Sequence, residues 1–308
     1  MNPTVYPIPA PNPIGAGKER GIVFGGGGEW FTTWMLAFCA TVGKQGVDLR
    51  KADVTVGTSA GSIMGAYLAS GQVEKAYETF KSLADQPEVL EKMVVTSTGA
   101  DSQIRASEIL SSAKSVDPAS IQEIGRAAMA AKNVPVANYL ETLNTLLGGM
   151  DWPGPTVHTT ATDCYTGERV VVAAADGIPI ATACAASSSL PGVNGPTWLG
   201  DHLCMDGGVS SMYVHSDLLA GAKRVLVFAM FCEAPKTGSF GLTIRVKPNV
   251  VHEEVAYLKS KGSEVMLVCA NPEEGTDFMD PRQIKSAMEL GAARGEAAAA
   301  ELATFWDK

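Results

Sequence analysis

The sequence predicts an α/β protein in which helices cover both faces of a mostly parallel sheet. Its first seventy residues alternate between strand and helix patterns, an order that favours parallel pairing of the strands. Two later segments, 222–231 and 263–272, are almost continuously apolar, as expected for strands buried on both faces. With 308 residues, 46% of them hydrophobic and 19% charged, the chain can bury a large core.

Four elements are predicted at the start of this α/β pattern. Residues 20–30, RGIVFGGGGEW, form a short buried strand that ends in a glycine loop, and residues 31–46 form an apolar helix. Residues 52–61 are predicted to form a second strand and a turn. Residues 62–71 follow as a helix that ends at Gly71.

Residues 72–150 have apolar residues at helical spacing and little strand character. The apolar positions that define this spacing are Ile121, Ile124, Leu140, Leu143 and Leu147. Two interpretations fit the segment equally well: a helical cap over the active edge of the sheet, or helices that simply cover one of its faces.

Strand patterns return after this helical segment. Residues 156–164 and 167–175 are predicted to pair as a hairpin around a Tyr-Thr-Gly turn, and a helix follows within 178–193. Residues 202–211 form a short strand and a tight turn, and the chain ends in an alanine-rich helix over 282–306.

Because no repeat or clear linker interrupts these elements, we expect a single domain over residues 20–308. Residues 1–19 contain spaced prolines and are predicted to form an extended or disordered arm. They lack the charged start and apolar stretch of a signal peptide, and no apolar run approaches the roughly 20 residues of a membrane span. We therefore expect a soluble cytoplasmic protein.

The charge and the cysteines limit the classes of function. A net charge of −9 argues against nucleic-acid binding and against strong attraction to anionic lipid headgroups, but it is compatible with a lipid substrate in an apolar pocket. The six cysteines are widely spaced and form no C-x-x-C pair. This favours buried thiols in a reducing compartment over a disulfide framework.

The segment VTVGTSAGSIMG, residues 54–65, places Ser59 between Gly57 and Gly61 at a strand-to-helix turn. This pattern is typical of a nucleophile elbow, in which a strained backbone lifts the serine hydroxyl clear of the sheet. Side chains two residues away on either side would collide with neighbouring elements, which explains the two glycines. The alternative is a tight turn in which Ser59 caps the helix.

A second candidate feature is the glycine loop at residues 25–28, between a predicted strand and a predicted helix. Consecutive glycines allow backbone N–H groups to converge on one oxygen atom, as in an oxyanion hole. A glycine loop can also hold a dinucleotide pyrophosphate, but that fingerprint requires a further glycine where this chain has Trp30 and Phe31. The sequence therefore favours the oxyanion hole.

A nucleophilic serine needs a base, and the chain offers few candidates. The four histidines are each expected to be surface or packing residues: His158, His202, His215 and His252. His215 is the best of them, but Asp206 is the stronger candidate, because the two glycines that follow it allow a sharp turn at a strand end. Asp163 is expected to cap a turn, and Asp201 and Asp217 are expected to face solvent.

Together these motifs resemble those of the patatin-like phospholipase family. The glycine loop, the Gly-Thr-Ser-Ala-Gly elbow and the Asp-Gly-Gly sequence at 206–208 occur in the family's order, with supporting matches at 161–168 and 185–193. The resemblance covers residues 20–232 and implies a three-layer α/β/α sandwich around a mostly parallel sheet. It also implies hydrolysis of acyl esters, often of lipids, by a Ser–Asp dyad without a catalytic histidine.

The resemblance implies a role for each motif residue. Ser59 would be the nucleophile and Asp206 its base. The oxyanion hole would be formed by backbone N–H groups of Gly26, Gly27, Gly28 and Ala60. The structural glycines of the three motifs would be Gly25, Gly57, Gly61, Gly207 and Gly208. The expected substrate is a lipid or lysophospholipid acyl ester, with transient contact to a membrane surface, and no cofactor, metal or nucleic acid is expected.

One departure from the family pattern concerns the end of the glycine loop. The family usually continues Gly-x-Arg-Gly, whereas this chain has Gly28-Glu29-Trp30-Phe31. Glu29 would disfavour an oxyanion if it pointed inward, and the two rings are expected to pack in the core rather than line an acyl channel. Two alternatives to a hydrolase remain open: an acyltransferase that uses the same acyl-enzyme, and a catalytically silent protein that binds a fatty acid or acyl group.

Overall fold

A mixed, mostly parallel sheet lies at the centre of the computed structural model, which describes residues 13–86, 88–89, 98–115, 117–210, 214–233 and 249–307. Its strands are β1 (Arg20–Phe24), β2 (Val54–Thr58), β3 (Val157–Asp163), β4 (Arg169–Ala173), β5 (Thr197–Leu199), β6 (His202–Asp206), β7 (Arg224–Ala229) and β8 (Glu264–Cys269). They follow the order β5-β6-β3-β2-β1-β7-β8, with β4 paired to β3. The pairings that involve β4, β5 and β6 are antiparallel, and the others are parallel.

Helices cover both faces of this sheet, which confirms the predicted α/β fold. They are α1 (Gly28–Lys44), α2 (Ala60–Ala69), α3 (Val73–Ala84), α4 (Asp101–Ser112), α5 (Pro118–Ala130), α6 (Val136–Leu146), α7 (Ile180–Ser187), α8 (Val250–Ser260) and α9 (Ile284–Trp306). Alternation along β1 divides the core between the two faces. Ile22 and Phe24 pack with residues of α1, α2 and α9, whereas Val23 packs with residues of α8.

Helix α1 is fixed behind the glycine loop by its contact with α9. A Cβ atom at Gly291 would lie 2.2 Å from the carbonyl oxygen of Trp34, and one at Gly295 would lie 3.0 Å from that of Phe38. The two glycines therefore allow the helices to approach closely. Trp34 and Phe38 are both buried and stack on each other, with ring centroids 5.4 Å apart.

The segment predicted to be helical, 72–150, contains α3 to α6 in its described part. Leu143 and Leu147 join the core on the α1 face, and Ile121 and Ile124 form a smaller core with residues of β6. The hydroxyl of Tyr67 on α2 donates to the carbonyl of Leu146, 2.6 Å away. These contacts attach α5 and α6 to the cores beside the sheet.

The predicted N-terminal arm, residues 1–19, is described only from residue 13 onward, and the rest of it lies outside the described residues. The described part runs beside the segment that precedes β7. The N–H of Gly15 donates to the carbonyl of Leu218 at 3.0 Å, and the N–H of Lys223 donates to the carbonyl of Lys18 at 2.9 Å. Within the described ranges, no helix has the length and apolar character needed to cross a membrane.

The expectation that the cysteines are all thiols is wrong for one pair. Cys232 and Cys269 form a disulfide with a Cα–Cα distance of 5.6 Å, whereas the other four cysteines are buried and free. The bond forms because β8 lies beside β7, with Cys269 paired to Ala229, and Cys232 follows β7 by three residues. Disulfides persist mainly in oxidising compartments, so this bond weighs against the expected reducing one.

Candidate active site

Ser59 occupies the turn between β2 and α2 with φ 53° and ψ −121°, a conformation that is costly for a residue with a side chain. A Cβ atom at Gly57 would lie 2.3 Å from the carbonyl oxygen of Gly61, and one at Gly61 would lie 2.0 Å from that of Phe24. The steric reason predicted for the two glycines is therefore confirmed. The Ser59 side chain makes no capping hydrogen bond to α2, so the alternative role as a helix cap is wrong.

The strained backbone of Ser59 is held from two sides. Its N–H donates to the hydroxyl of Ser187 at 2.8 Å, and its carbonyl accepts from the N–H and the hydroxyl of Ser62 at 2.9 and 2.6 Å. Ser187 is fully buried at the end of α7. Sequence reasoning assigned Ser187 no role beyond its place in the supporting motif at 185–193.

Asp206 lies beside Ser59 because of the pairing along β3. Strand β4 occupies one edge of β3 from residue 158 to 162, so β2 and β6 must share the other edge. On that edge, Thr58 at the end of β2 pairs with Thr160, and Asp206 at the end of β6 pairs with the next residue, Ala161. The end of β2 and the end of β6 therefore meet, and they carry Ser59 and Asp206.

The Asp206 carboxyl is buried, with 7% of the residue exposed. Its Oδ1 accepts a hydrogen bond from the N–H of Gly208 at 2.7 Å. Burial raises the pKa of Asp206 to about 6, and the Gly208 N–H and the Ser59 side chain oppose that rise. The group is therefore ionised at neutral pH while remaining a better proton acceptor than an ordinary carboxylate.

The glycines after Asp206 allow the chain to turn in a confined space. A Cβ atom at Gly207 would lie 2.5 Å from the carbonyl oxygen of Thr160, and one at Gly208 would lie 3.1 Å from Oδ1 of Asp206 itself. The hydroxyls of Thr160 and Thr58 are 2.7 Å apart below the turn. A larger residue at either glycine would displace the carboxyl from Ser59.

The glycine loop passes directly beside Ser59. A Cβ atom at Gly26 would lie 3.2 Å from Cβ and 3.8 Å from Oγ of Ser59. Gly25 is tied to the sheet, since its N–H donates to the carbonyl of Phe228 at 3.0 Å. Among the described residues, the N–H groups of Gly26 and Gly27 have no backbone acceptor. Both groups are therefore free to donate to an oxygen atom bound near Ser59.

Two helices begin at the same place. Gly28 is the first residue of α1 and Ala60 is the first residue of α2, and the first N–H groups of a helix have no acceptor within it. Gly28 has φ +64°, and a Cβ atom there would lie 2.6 Å from the carbonyl oxygen of Phe278. The loop therefore fits only glycine at this position. Helix α1 begins two residues after Gly26, which lies beside Ser59, and α2 begins at the residue after Ser59.

Trp30 and Phe31, the two rings at which the glycine loop departs from the family pattern, pack in the core as predicted. They are 1% and 0% exposed. The ring of Phe31 stacks on that of Trp34 at 5.7 Å, and the ring of Trp30 meets that of Phe278 edge-on at 6.2 Å.

Glu29 is the polar member of that sequence and is only partly buried. Its Oε2 atom is buried without a hydrogen-bond partner in the described part of the chain, and burial together with the charge of Asp277 raises its pKa to about 7. Burial also raises the pKa of Tyr139, and the charges of Glu29 and Asp206 add to this effect. Glu29 and Asp206 therefore both lie close enough to Tyr139 to influence its ionisation.

None of the four histidines forms a hydrogen bond to Ser59 or Asp206 within the described ranges. His215, the best candidate among them, is fully buried, with Nε2 2.8 Å from the carbonyl oxygen of Gly207 and Nδ1 3.2 Å from Nη1 of Arg169. Burial and the positive charge of Arg169 lower its pKa to about 3. His215 is therefore neutral and has no free nitrogen with which to act as a base.

The predictions for Asp163 and Asp201 are confirmed, and the prediction for Asp217 is wrong. Asp163 caps a turn as predicted, since its Oδ1 accepts from the N–H groups of Tyr165 and Thr166 at 2.8 and 2.9 Å. Asp201 faces solvent as predicted. Asp217 does not: it is buried in a bidentate ion pair with Arg169, with distances of 2.8 and 3.0 Å. The sequence did not reveal this partner, which is 48 residues away.

Comparison with known proteins gives one family match. The model of the patatin-like phospholipase family matches residues 22–219, a range that contains the glycine loop, the elbow and Asp206. Curated proteins gave no match to the sequence.

Two solved structures show a partial likeness to this fold. VipD from Legionella pneumophila is 13% identical with a TM-score of 0.44, over 93% of this chain and 68% of VipD. ExoU from Pseudomonas aeruginosa, in its heterodimeric complex with SpcU, is 17% identical with a TM-score of 0.43. That match covers all of this chain but only 57% of ExoU, so the chain spans little more than half of that protein.

Proposed function

Since the chain belongs to the patatin-like phospholipase family, we propose that it is a serine acyl hydrolase that cleaves carboxylic esters through Ser59 and Asp206. The observation that carries this proposal is the meeting of Ser59 and the buried Asp206 carboxyl at the ends of β2 and β6, where the Ser59 side chain lowers the pKa of Asp206. This meeting brings a strained serine, a carboxylate and a glycine loop to one place. Lipid or lysophospholipid acyl esters are the proposed substrates.

In the first step, the Ser59 hydroxyl attacks the ester carbonyl carbon while its proton passes to Asp206. The C–O bond forms, the carbonyl π electrons move to the oxygen, and a tetrahedral oxyanion results. A pKa of about 6 makes Asp206 a stronger base than an exposed aspartate, and yet leaves it mostly ionised at neutral pH.

Backbone N–H groups stabilise the oxyanion in this proposal. Gly26 and Gly27 supply donors that have no backbone acceptor among the described residues, and Gly28 and Ala60 supply the first N–H groups of two helices. Such donors are fixed in place before the reaction, so they need no reorganisation when the negative charge appears. Each donor of this kind is typically worth on the order of 10²–10³ in rate.

The tetrahedral intermediate then collapses, and the alcohol leaves with the proton held by Asp206. Water attacks the acyl-enzyme with Asp206 again accepting a proton, which releases the carboxylic acid and regenerates Ser59. An acyltransferase would differ only in this second half, where an acceptor alcohol would replace water.

A catalytically silent acyl-binding protein is the second candidate, and one observation favours it. Glu29 follows Gly28 in the first turn of α1, and its Oε2 atom is buried without a hydrogen-bond partner among the described residues. A negative charge at this helix N-terminus would oppose an oxyanion held by the glycine loop. Burial raises the pKa of Glu29 to about 7, so a large fraction of the molecules carries a neutral Glu29 at neutral pH. Because a neutral Glu29 does not oppose an oxyanion, the hydrolase is the better-supported function.

Steady-state hydrolysis of a series of p-nitrophenyl esters and of a lysophospholipid tests the proposal. Wild type should turn over, while Ser59→Ala and Asp206→Asn should lose activity by about 10³-fold or more. Asp201→Asn is the matched control, because Asp201 is a fully exposed aspartate. Equal activity in wild type and Ser59→Ala would overturn the proposal. Ester products that appear when acceptor alcohols are added would instead identify an acyltransferase.

A further inference from the structure

One peptide group connects Asp206 to a buried cluster behind it. The N–H of Gly208 donates to Oδ1 of Asp206 at 2.7 Å, and the carbonyl of Gly207 accepts from Nε2 of His215 at 2.8 Å. These two groups belong to the same amide, which is planar and rigid. His215 therefore binds the carbonyl of this amide, and the N–H of the same amide binds the Asp206 carboxylate.

The partners of His215 determine which nitrogen carries its proton. A carbonyl oxygen only accepts hydrogen bonds and a guanidinium only donates them. Nε2, beside the Gly207 carbonyl, must carry the hydrogen, and Nδ1, 3.2 Å from Nη1 of Arg169, must accept. Arg169 is in turn fixed by its bidentate pair with Asp217. All three side chains are buried, with exposures of 5% or less.

The backbone of His215 is held in an uncommon conformation. Its φ is +61°, and Ser59 and Asn271 are the other non-glycine residues with positive φ in the described part of the chain. The neighbouring residues are fixed by Glu254 on α8, which accepts from the N–H groups of Val214 and Ser216 at 3.1 Å each. A costly conformation persists only where the surroundings enforce it, and such sites cluster near functional residues.

We propose that Arg169 and His215 form a relay of hydrogen bonds that positions and polarises the Gly207–Gly208 peptide against Asp206. Every donor in the chain points toward the carboxylate, from guanidinium to imidazole to amide to Asp206. Hydrogen bonds aligned in this way strengthen one another in a buried site. His215 is thus a positioning residue for the base, an inference that rests on the proposed function only for its catalytic consequence.

The relay predicts how the ionisation of Asp206 depends on His215. If the imidazole is removed, the Gly208 N–H becomes a weaker and less well-directed donor, so the carboxylate loses stabilisation and the pKa of Asp206 rises. The other titratable groups are Asp217 and Glu254 around His215, Tyr139 near Asp206, and Glu29 near Tyr139. None of them is hydrogen-bonded to the Gly207–Gly208 amide in the described structure.

The test compares His215→Gln with His215→Met. Both replacements are unbranched, similar in length and equally strained at positive φ, but only glutamine can accept from Arg169 and donate to the Gly207 carbonyl. The primary readout is a ¹³C NMR titration of the Asp206 carboxyl, which needs no substrate. The second is the pH profile of kcat/KM for an ester that the wild type hydrolyses.

In His215→Met, the pKa of Asp206 should rise by about half a pH unit or more, and the acid limb of kcat/KM should move by the same amount. His215→Gln should recover at least half of this change. Identical Asp206 titrations in both variants and in wild type would overturn the relay. A changed titration in a protein that hydrolyses no ester would instead retain the relay and reject the proposed function.

A measurement on wild type covers the case in which His215→Met does not fold. Long-range ¹H–¹⁵N NMR should show His215 neutral, with its hydrogen on Nε2, throughout pH 5 to 8. A hydrogen on Nδ1, or titration of this ring within that range, would overturn the relay.

Discussion

The Ser59 side chain lowers the pKa of the Asp206 carboxyl, and the two residues meet because β2 and β6 share one edge of β3. Strand β2 approaches this edge in the parallel sense and β6 in the antiparallel sense, so their carboxyl ends face each other. The proposed nucleophile and its proposed base are thus carried by two strand ends rather than by flexible loops. Positions of this kind can hold reacting groups with little reorganisation.

The backbone strain at Ser59 predicts a trade between activity and stability. Ser59→Gly should raise the free energy of unfolding by about 1 kcal/mol, because glycine adopts positive φ at little cost, although its greater freedom when unfolded offsets part of the gain. Ser59→Ala keeps a Cβ atom and should show no such gain. Denaturant unfolding of both inactive variants checks this, and equal stabilities would contradict the claim of strain.

The pKa of Asp206 predicts the pH dependence of activity. If Asp206 must be ionised to act as a base, kcat/KM should rise with pH through about 6 and level off above it. An ester whose own groups do not titrate in this range isolates the effect. An acid limb near pH 4, the ordinary range of an aspartate, would contradict the assignment.

The same pKa of Asp206 predicts that stability falls with rising pH, whereas activity rises. The folded-state pKa lies above the unfolded value, so the folded state binds more protons between pH 3.8 and about 6, and stability falls as pH rises through this window. Asp206→Asn removes this cost and should be more stable than wild type at pH 7, by at most about 3 kcal/mol. The difference should disappear near pH 4. A constant difference from pH 4 to 7 would contradict the raised pKa.

The space beside Ser59 predicts that the glycine loop tolerates no side chain. Gly26→Ala would place a methyl group 3.2 Å from Cβ and 3.8 Å from Oγ of Ser59, so kcat/KM should fall by about tenfold or more. Gly43→Ala is the matched control, because a Cβ atom there meets nothing within 4 Å. That variant should keep full activity and gain up to about 1 kcal/mol of stability from its helical position. Equal activities of the two variants would argue against crowding of Ser59.

The raised pKa of Glu29 predicts a second pH effect. Above pH 7 the ionised carboxylate should oppose an oxyanion at the glycine loop, so Glu29→Gln should increase kcat at pH 8 and have little effect at pH 6. Glu74→Gln is the control, since Glu74 also lies in the first turn of a helix but is well exposed. A loss of activity in Glu29→Gln at every pH would show that Glu29 assists the reaction.

Features encoded within a few residues could be predicted from the sequence. The Gly-x-Ser-x-Gly pattern, the apolar runs of β7 and β8 and the Asp163 turn depend on local spacing, and the structure has each of them. The glycines around Ser59 could be explained beforehand because a nucleophile elbow has one steric requirement. The three-residue strand β5 was missed, since so short an element has no periodicity to detect.

Features that join distant segments could not be predicted in this way. The burial of Asp217 depends on Arg169, and the disulfide depends on the register of β7 against β8. The contact of Ser187 with the N–H of Ser59 likewise follows from where α7 ends in space. In each case a polar or reactive residue has a partner that no local pattern marks, so an exposed residue or a free thiol is the natural expectation from sequence alone.

Covalent labelling with a fluorophosphonate probe, followed by intact mass and peptide mapping, shows whether Ser59 is an activated nucleophile. We expect one adduct on Ser59 in wild type, none in Ser59→Ala and much slower labelling in Asp206→Asn. Thermal unfolding of each variant verifies that the protein is folded. A folded wild type that forms no adduct, or that is labelled at a serine other than Ser59, would contradict the claim that Ser59 is an activated nucleophile.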